Sequence, residues 1–471
     1  MKLNNLTIKQ AREGLKTKQF TAVELVTAYL SEIKTRNQNL NALLTVCKEE
    51  AIEQAKKADE LINDGQDLPL LGIPIAVKDI FSTKGVKTTA ASKVLENYIP
   101  QYDATVVEKL KNAGAIIIGK TNLDAWAHGS SGENSDFGPV KNPWNIEYVP
   151  GGSSSGSAVS VTSGMAIAAT GTDTGGSIRL PASFTNTVGL KPTYGRVSRY
   201  GILAMASSLD SIGHFTKTVE DSAIFLNVTA GQDKLDATTP KTAVPNYLNS
   251  LSKGIKGLKI GVPKEYTHAE GIEPEILSNF KDTLKILEKL GAGIIDISLP
   301  NTEYGIAVYY IIQPAEVSSN LARYDGIRYG NDRSAFGNEA KRRIMLGTFT
   351  LSVGYYDAYY KKAMKVRTLI IKDFDDAYKK VDAIIAPVSP TMPWKIGEKM
   401  NDPLKMYLSD VLTVNCNLAG IPGLSVPSGF INGLPVGVQF LGPRFSEELL
   451  FRIGHAFEQE TKFYEKTPYE V

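Results

Sequence analysis

The sequence predicts a single large α/β domain built on a mixed, largely parallel central sheet with helices covering both faces. Two observations carry this. A helical stretch, a glycine stop and a short apolar strand follow one another twice, over 106–118 and over 274–297, the alternation that layers helices on a sheet. The chain of 471 residues is long enough for three domains of about 150 residues. However, its most linker-like segment, Gly231 to Lys256, runs straight into strand-like Leu258 to Val262, so it reads as a surface loop within one domain, 1–471.

Taken in order, Thr7 with Gln10 and Thr21 with Glu24 each fit a capping box ahead of apolar residues three and four apart, which predicts two opening helices. A third helix is expected from about Ala42 to Ile62, with a solvated outer face of alternating charge. These form an N-terminal helical part, 1–65. A catalytic core over 70–230 follows Leu71-Gly72-Ile73-Pro74, where helix 106–111, Gly114 as its stop and strand 115–118 succeed one another. A second part over 257–471 repeats the pattern, with helix 274–290, Gly291 and strand 294–297.

Composition excludes several classes. Lys and Arg number 52 against 50 Asp and Glu, a net charge of +2, so no basic field favours a nucleic-acid coat protein. Two cysteines, Cys47 and Cys416, are too few for a disulfide framework or a four-thiolate zinc site and suit a reducing compartment. No apolar run approaches the ~20 residues that span a bilayer, and no signal-peptide core follows Met1. A soluble, cytoplasmic protein without membrane partners is the expectation.

The chemistry concentrates in Gly151-Gly152-Ser153-Ser154-Ser155-Gly156-Ser157 and in Gly171 to Pro181. A phosphate loop needs Gly-Lys-Ser/Thr, and a dinucleotide site needs Gly-x-Gly-x-x-Gly after a strand; neither spacing is present. Gly152 to Gly156 formally matches the Gly-x-Ser-x-Gly nucleophile elbow. None of the four histidines, His128, His214, His268 and His455, stands in an acid–histidine context to serve it. The remaining option is a serine activated by a lysine, which must be neutral to act as a base and therefore buried. Lys78 ends the apolar run Ile73 to Val77 and meets that condition, though a strand-end lysine is ordinarily a surface group.

Residues 151–182 resemble the signature of the amidase signature family: Gly-Gly-Ser-Ser-Ser-Gly, then Asp173, Gly175, Ser177, Ile178, Arg179 and Pro181 at the family's spacing. Val77-Lys78-Asp79 and the stretch from Lys120-Thr121-Asn122 to Pro150 are similar to family landmarks, and the resemblance runs from near residue 20 to beyond 440. Thr162 departs from it, standing where Gly, Ser or Ala is usual. The resemblance implies Ser177 as nucleophile, Ser153 as a bridging serine preceded by a cis peptide bond, and Lys78 as base. It also implies an oxyanion hole of the Thr174, Gly175, Gly176 and Ser177 backbone N–H groups.

Within the family the chain resembles the glutamine-hydrolysing subunits of tRNA-dependent amidotransferases, on stretches 129–135, 191–199, 318–330, 341–348 and 354–360. The stretch from Gly330 to Phe336 looks shorter than in many relatives. That resemblance implies a glutamine pocket of Gly129, Ser130, Tyr309 (or Tyr310), Arg343 and Asp410, with Arg343 facing the α-carboxylate and Asp410 the α-ammonium. It further implies that ammonia released here passes to partner subunits B and C of a heterotrimer, a carbon–nitrogen ligase in which the partner uses ATP and Mg²⁺ to amidate Glu-tRNA(Gln) or Asp-tRNA(Asn). This chain is expected to hold no metal or cofactor. The tyrosine- and lysine-rich stretch Tyr355 to Arg367 fits tRNA contacts and equally a half-buried tyrosine face; the near-neutral charge leaves tRNA mainly to partners. The competing functions are a free-standing amidase for another small amide and a non-catalytic interaction subunit.

Overall fold

A computed structural model describes residues 2–269, 271–328, 330–400 and 402–469. Among these residues, eleven strands form one sheet: β1 Leu43–Val46, β2 Pro74–Lys78, β3 Ile116–Thr121, β4 Ala168–Asp173, β5 Val188–Lys191, β6 Ser211–Thr216, β7 Lys259–Pro263, β8 Gly293–Ile297, β9 Ala383–Pro387, β10 Gly423–Ile431 and β11 Leu434–Leu441. Their spatial order is β1-β3-β2-β4-β6-β5-β10-β11-β9-β7-β8. Strands from both parts of the chain are hydrogen-bonded side by side at β5 and β10, so one sheet runs through the molecule and the 231–256 segment, which carries a short 3-10 helix at Tyr247–Lys253, is a connection within one domain.

The sheet is mixed, as expected, but not largely parallel. Four of its pairings, β2–β3, β2–β4, β7–β8 and β7–β9, are parallel, while the other six are antiparallel. The antiparallel centre includes the hairpin of β10 and β11, which turns at Asn432-Gly433, both with positive φ (52° and 79°), the pair a tight hairpin turn favours.

Both opening helices, Ile8–Lys16 and Ala22–Leu40, begin with the predicted capping boxes. The expected third helix divides: Leu43–Val46 is the edge strand β1, paired with β3, and the helix proper is Lys48–Asn63. A four-residue apolar strand beside a long helical pattern carries little local signal, and its identity comes from pairing across the sheet. Helices Thr105–Asn112 and Pro274–Lys289 and strands β3 and β8 lie where the periodicity predicts.

Helix Ser155–Thr162, built from small residues, is buried on every side down to Val161 and packs on β4 and β2. Thr162 lies at its half-exposed end, which explains why a larger residue is tolerated there. Among the described residues no helix is long and apolar enough to cross a membrane.

Candidate active site

The site lies beyond the carboxyl ends of the parallel strands β2 and β4, the crevice where open α/β sheets commonly bind ligands. Lys78 ends β2, and its backbone N–H donates to Thr170 Oγ1 at 2.9 Å. The side chain is fully buried. Its Nζ donates to Thr172 Oγ1 at 2.7 Å, Ser154 Oγ at 2.8 Å and Ser153 Oγ at 3.0 Å. Among the described residues, three hydroxyls and no carboxylate therefore lie within hydrogen-bonding distance of this amine, whereas the equally buried Lys120 has Asp79 at 3.2 Å. Burial drives Lys78 down from 10.5 to about 7, against the opposing pull of Asp124, Asp173 and Asp210. A neutral amine is thus accessible near neutral pH.

Ser153 sits in the turn leading into helix Ser155–Thr162, and the Gly152–Ser153 peptide bond is cis. The neighbouring Ser154 N–H donates to the Ser177 carbonyl at 3.2 Å, which holds the two serine loops together. Asp124 ties this turn to the loop at 129–134: its carboxylate accepts the N–H groups of Asn134 (2.9 Å) and Gly132 (3.0 Å). A Cβ on Gly152 would fall 2.0 Å from Asp124 Oδ2, so only glycine fits there.

Ser177 is 9 % exposed and precedes helix Arg179–Thr185. Its loop is fixed from below by Asp173. That carboxylate accepts the N–H of Gly176 at 2.9 Å and of Ile178 at 3.2 Å, and pairs with Arg179 Nη2 at 3.1 Å. Burial alone would raise Asp173, but the Arg179 guanidinium outweighs it and holds the acid at about 2. Arg179 continues to Gln439 Oε1 (2.8 Å) and Asn417 Oδ1 (2.7 Å), bringing β11 and the Val414–Ala419 helix under the loop. Breaking a buried pair by removing one partner typically costs about 3–5 kcal/mol. We expect Arg179→Leu to lower the chemical-denaturation stability by that amount, and more than Asp173→Asn, which keeps part of the hydrogen bonding.

The four expected oxyanion donors are not equivalent. The Gly176 N–H is turned inward onto Asp173, so it supports the loop. Those of Thr174, Gly175 and Ser177 have no acceptor among the described residues. Gly176 has φ +142°, and a Cβ there would meet Thr413 Oγ1 at 2.4 Å; Gly175 lies against Tyr309, whose hydroxyl would be 2.9 Å from an added Cβ. Tyr309 thus faces the reacting loop.

The other predicted pocket residues also converge. Asp410 accepts Ser130 Oγ at 2.9 Å and the Tyr310 hydroxyl at 3.3 Å. Burial raises its carboxyl to about 7, opposed by Ser130, Arg343 and Tyr310. Arg343, on helix Asn338–Thr350, is 3 % exposed. It donates from Nε to Glu339 and from Nη1 to Gln313 Oε1, both at 2.8 Å, and lies 5.1 and 5.3 Å from the Tyr310 and Tyr407 ring centres. Both tyrosines, stacked 3.9 Å apart, thus link the cation to Asp410. A cavity of about 570 Å³ opens against Gly129, Arg343 and Tyr407; Ser177 and Asp410 are not part of its wall.

Sequence reasoning missed Ser154 and Thr172 as partners of the lysine, and Tyr407, Gln313 and Glu339 around Arg343. Of the four tyrosines in the 355–367 stretch, Tyr355 (40 %), Tyr356 (39 %) and Tyr359 (47 %) are exposed, and only Tyr360 is half-buried.

A family model described as Amidase matches residues 24–451. The chain is 54 % identical, over 99 % of its own length and 100 % of the relative's, to the A subunit of glutamyl-tRNA(Gln) amidotransferase from Carboxydothermus hydrogenoformans. It is also 54 % identical to the protein of that name from Thermoanaerobacter pseudethanolicus, over 98 % of each chain. The crystal structure of the Thermotoga maritima counterpart superposes with a TM-score of 0.81 at 44 % identity, covering 99 % of this chain and 96 % of that one. A bacterial aryl acylamidase of the amidase signature family superposes at 0.87 with 26 % identity, over 98 % of each chain. The chain belongs to the amidase family, in the branch that holds the A subunits of glutamyl-tRNA(Gln) amidotransferases.

Proposed function

We propose that this chain hydrolyses glutamine and supplies the ammonia to an amidotransferase complex that converts Glu-tRNA(Gln), and by the same chemistry Asp-tRNA(Asn), to the amidated product. The observation that carries the reading is the buried Lys78 amine hydrogen-bonded to Ser153 and Ser154, beside a loop that presents Ser177. Ser177 Oγ attacks the side-chain carboxamide carbon of glutamine. Its proton passes through the Ser153 hydroxyl to neutral Lys78, and the oxyanion is held by the N–H groups of Thr174, Gly175 and Ser177. The ammonium of Lys78 returns the proton along the same path to the leaving nitrogen. The C–N bond breaks, releasing ammonia and a glutamyl ester on Ser177, and water activated by the same relay hydrolyses the ester to glutamate.

Arg343 and Asp410 supply the opposite charges that a free amino acid needs at its α-carboxylate and α-ammonium. An arriving ammonium favours the ionised form of an Asp410 that burial has raised to about 7. Ser130 orients that carboxylate, and Tyr309 walls the reacting carboxamide. The chain works in the cytoplasm within a heterotrimer, alongside subunits B and C. The partner binds ATP, Mg²⁺ and most of the charged tRNA.

The test is ammonia release by the chain assembled with its partner subunits. Glutamine is expected to be hydrolysed at least about tenfold faster than asparagine, acetamide or an aryl acylamide, because only glutamine satisfies both buried charges at the right reach. Faster turnover of simple amides by the isolated chain would replace this reading with a free-standing amidase.

A further inference from the structure

More unpartnered donors lie around Arg343, at the wall of the cavity and behind it, than a structural role explains. His128 is fully buried and belongs to the cavity wall with Gly129 and Arg343, yet neither of its ring nitrogens has a hydrogen-bond partner among the described residues. Gln313, also fully buried, accepts Arg343 Nη1 through Oε1 at 2.8 Å, while its Nε2 is likewise without a partner there. Arg343 Nη2 has no acceptor among the described residues either, since Glu339 takes Nε and Gln313 takes Nη1. A buried polar atom left unpaired costs about 1–3 kcal/mol, and the buried, unpaired His128 ring and Gln313 Nε2, beside the Arg343 cation, call for a common acceptor.

Their placement follows from the sequence. Gln313 lies one helical turn beyond Tyr309 and Tyr310 on helix Gly305–Asn320, so it shares their face. His128 immediately precedes Gly129 and Ser130, and its carbonyl is pinned by Asn134 Nδ2 at 2.7 Å. Burial, reinforced by the Arg343 charge, holds the imidazole well below its usual value, so it is neutral. A neutral imidazole carries one N–H donor and adds no second cation to the pocket.

We propose that Gln313 and His128 are substrate-binding residues that, with Arg343 Nη2, form a three-donor cradle for the α-carboxylate of the bound amino acid. This rests on the glutaminase reading above and deepens it: one guanidinium supplies the charge, and the amide and the imidazole fix which carboxylate oxygen faces which donor. The site therefore discriminates amino acids with a free α-carboxylate from those in which it is blocked.

The experiment measures steady-state ammonia release by the assembled complex with glutamine and with glutaminamide, in which the α-carboxylate is replaced by a carboxamide. Wild type is expected to prefer glutamine strongly. Gln313→Leu and His128→Leu are each expected to raise KM for glutamine about tenfold, as for loss of one hydrogen bond to a charged group, with kcat within about twofold. The preference for glutamine over glutaminamide should shrink by the same factor. Gln313→Asn and His128→Asn, which retain a donor, should recover part of that preference, and thermal unfolding of every variant reports whether it has folded. An unchanged glutamine-to-glutaminamide ratio in the folded leucine variants overturns the cradle. Absence of glutamine hydrolysis by the wild-type complex overturns instead the reading on which it rests.

Discussion

Replacing Ser177 with alanine is expected to reduce glutamine-dependent ammonia release by at least about 10⁴-fold, the scale of losing a nucleophile whose partners then have nothing to activate. The fold should be unaffected. The Ser177 hydroxyl makes no hydrogen bond to the described residues, while the loop is held through backbone groups by Asp173 and by the Ser154 N–H. The thermal unfolding midpoint is therefore expected to match wild type. Transfer to charged tRNA from added ammonium salt should also persist in the assembled complex, because free ammonia bypasses the first half-reaction. The discriminating measurement sets these side by side: glutamine-driven amidation lost, ammonium-driven amidation retained. Retained ammonia release from glutamine would remove Ser177 from the chemistry and leave this chain with an interaction role alone.

Much of this arrangement is legible in residue order because the site is built from local signals. Lys78 closes an apolar run, which marks it as a candidate for burial although most strand-end lysines are surface groups, and the structure buries it fully. The glycines at 151, 152, 175 and 176 mark where backbone passes close to other atoms. What the sequence does not disclose is how groups far apart in the chain divide the work. Gly176 looks like an oxyanion donor until Asp173 is seen to occupy its N–H. Ser154 and Thr172 look like two more small polar residues in a Ser/Thr-rich stretch, yet each lies closer to the Lys78 amine than Ser153 does.

The fold departs from expectation for comparable reasons. The antiparallel centre of the sheet had a local marker in Asn432-Gly433, flanked by apolar runs, and reading it would have corrected the parallel majority. Strand β1 had no such marker. Leu43–Val46 pairs with Thr121, Lys120 and Gly119 at the sheet edge, a contact between segments distant in the chain that periodicity does not register.

Lys78→Met is expected to abolish glutamine hydrolysis and at the same time to stabilise the protein below neutral pH. For the wild type, the base acts only when uncharged, so kcat/KM for glutamine should rise with pH through about 7 and fall about tenfold per pH unit below it. The stability effect has the opposite origin. A lysine whose value is about 7 in the folded chain and about 10.4 unfolded opposes folding in full below pH 7. That penalty shrinks as pH rises from 7 and is gone above the unfolded value. A displacement of this size corresponds to a penalty on the order of 5 kcal/mol. Methionine fills a similar volume without a charge, but leaves Ser153, Ser154 and Thr172 without their donor, which takes back roughly 1–3 kcal/mol. The Lys78→Met variant should therefore unfold at higher denaturant than wild type at pH 6, by roughly 2 kcal/mol or more, with the advantage diminishing steadily towards pH 9. Equal stability of the two proteins across that range would mean that the amine is not held out of water, and the neutral base on which the hydrolysis depends would lose its physical cause.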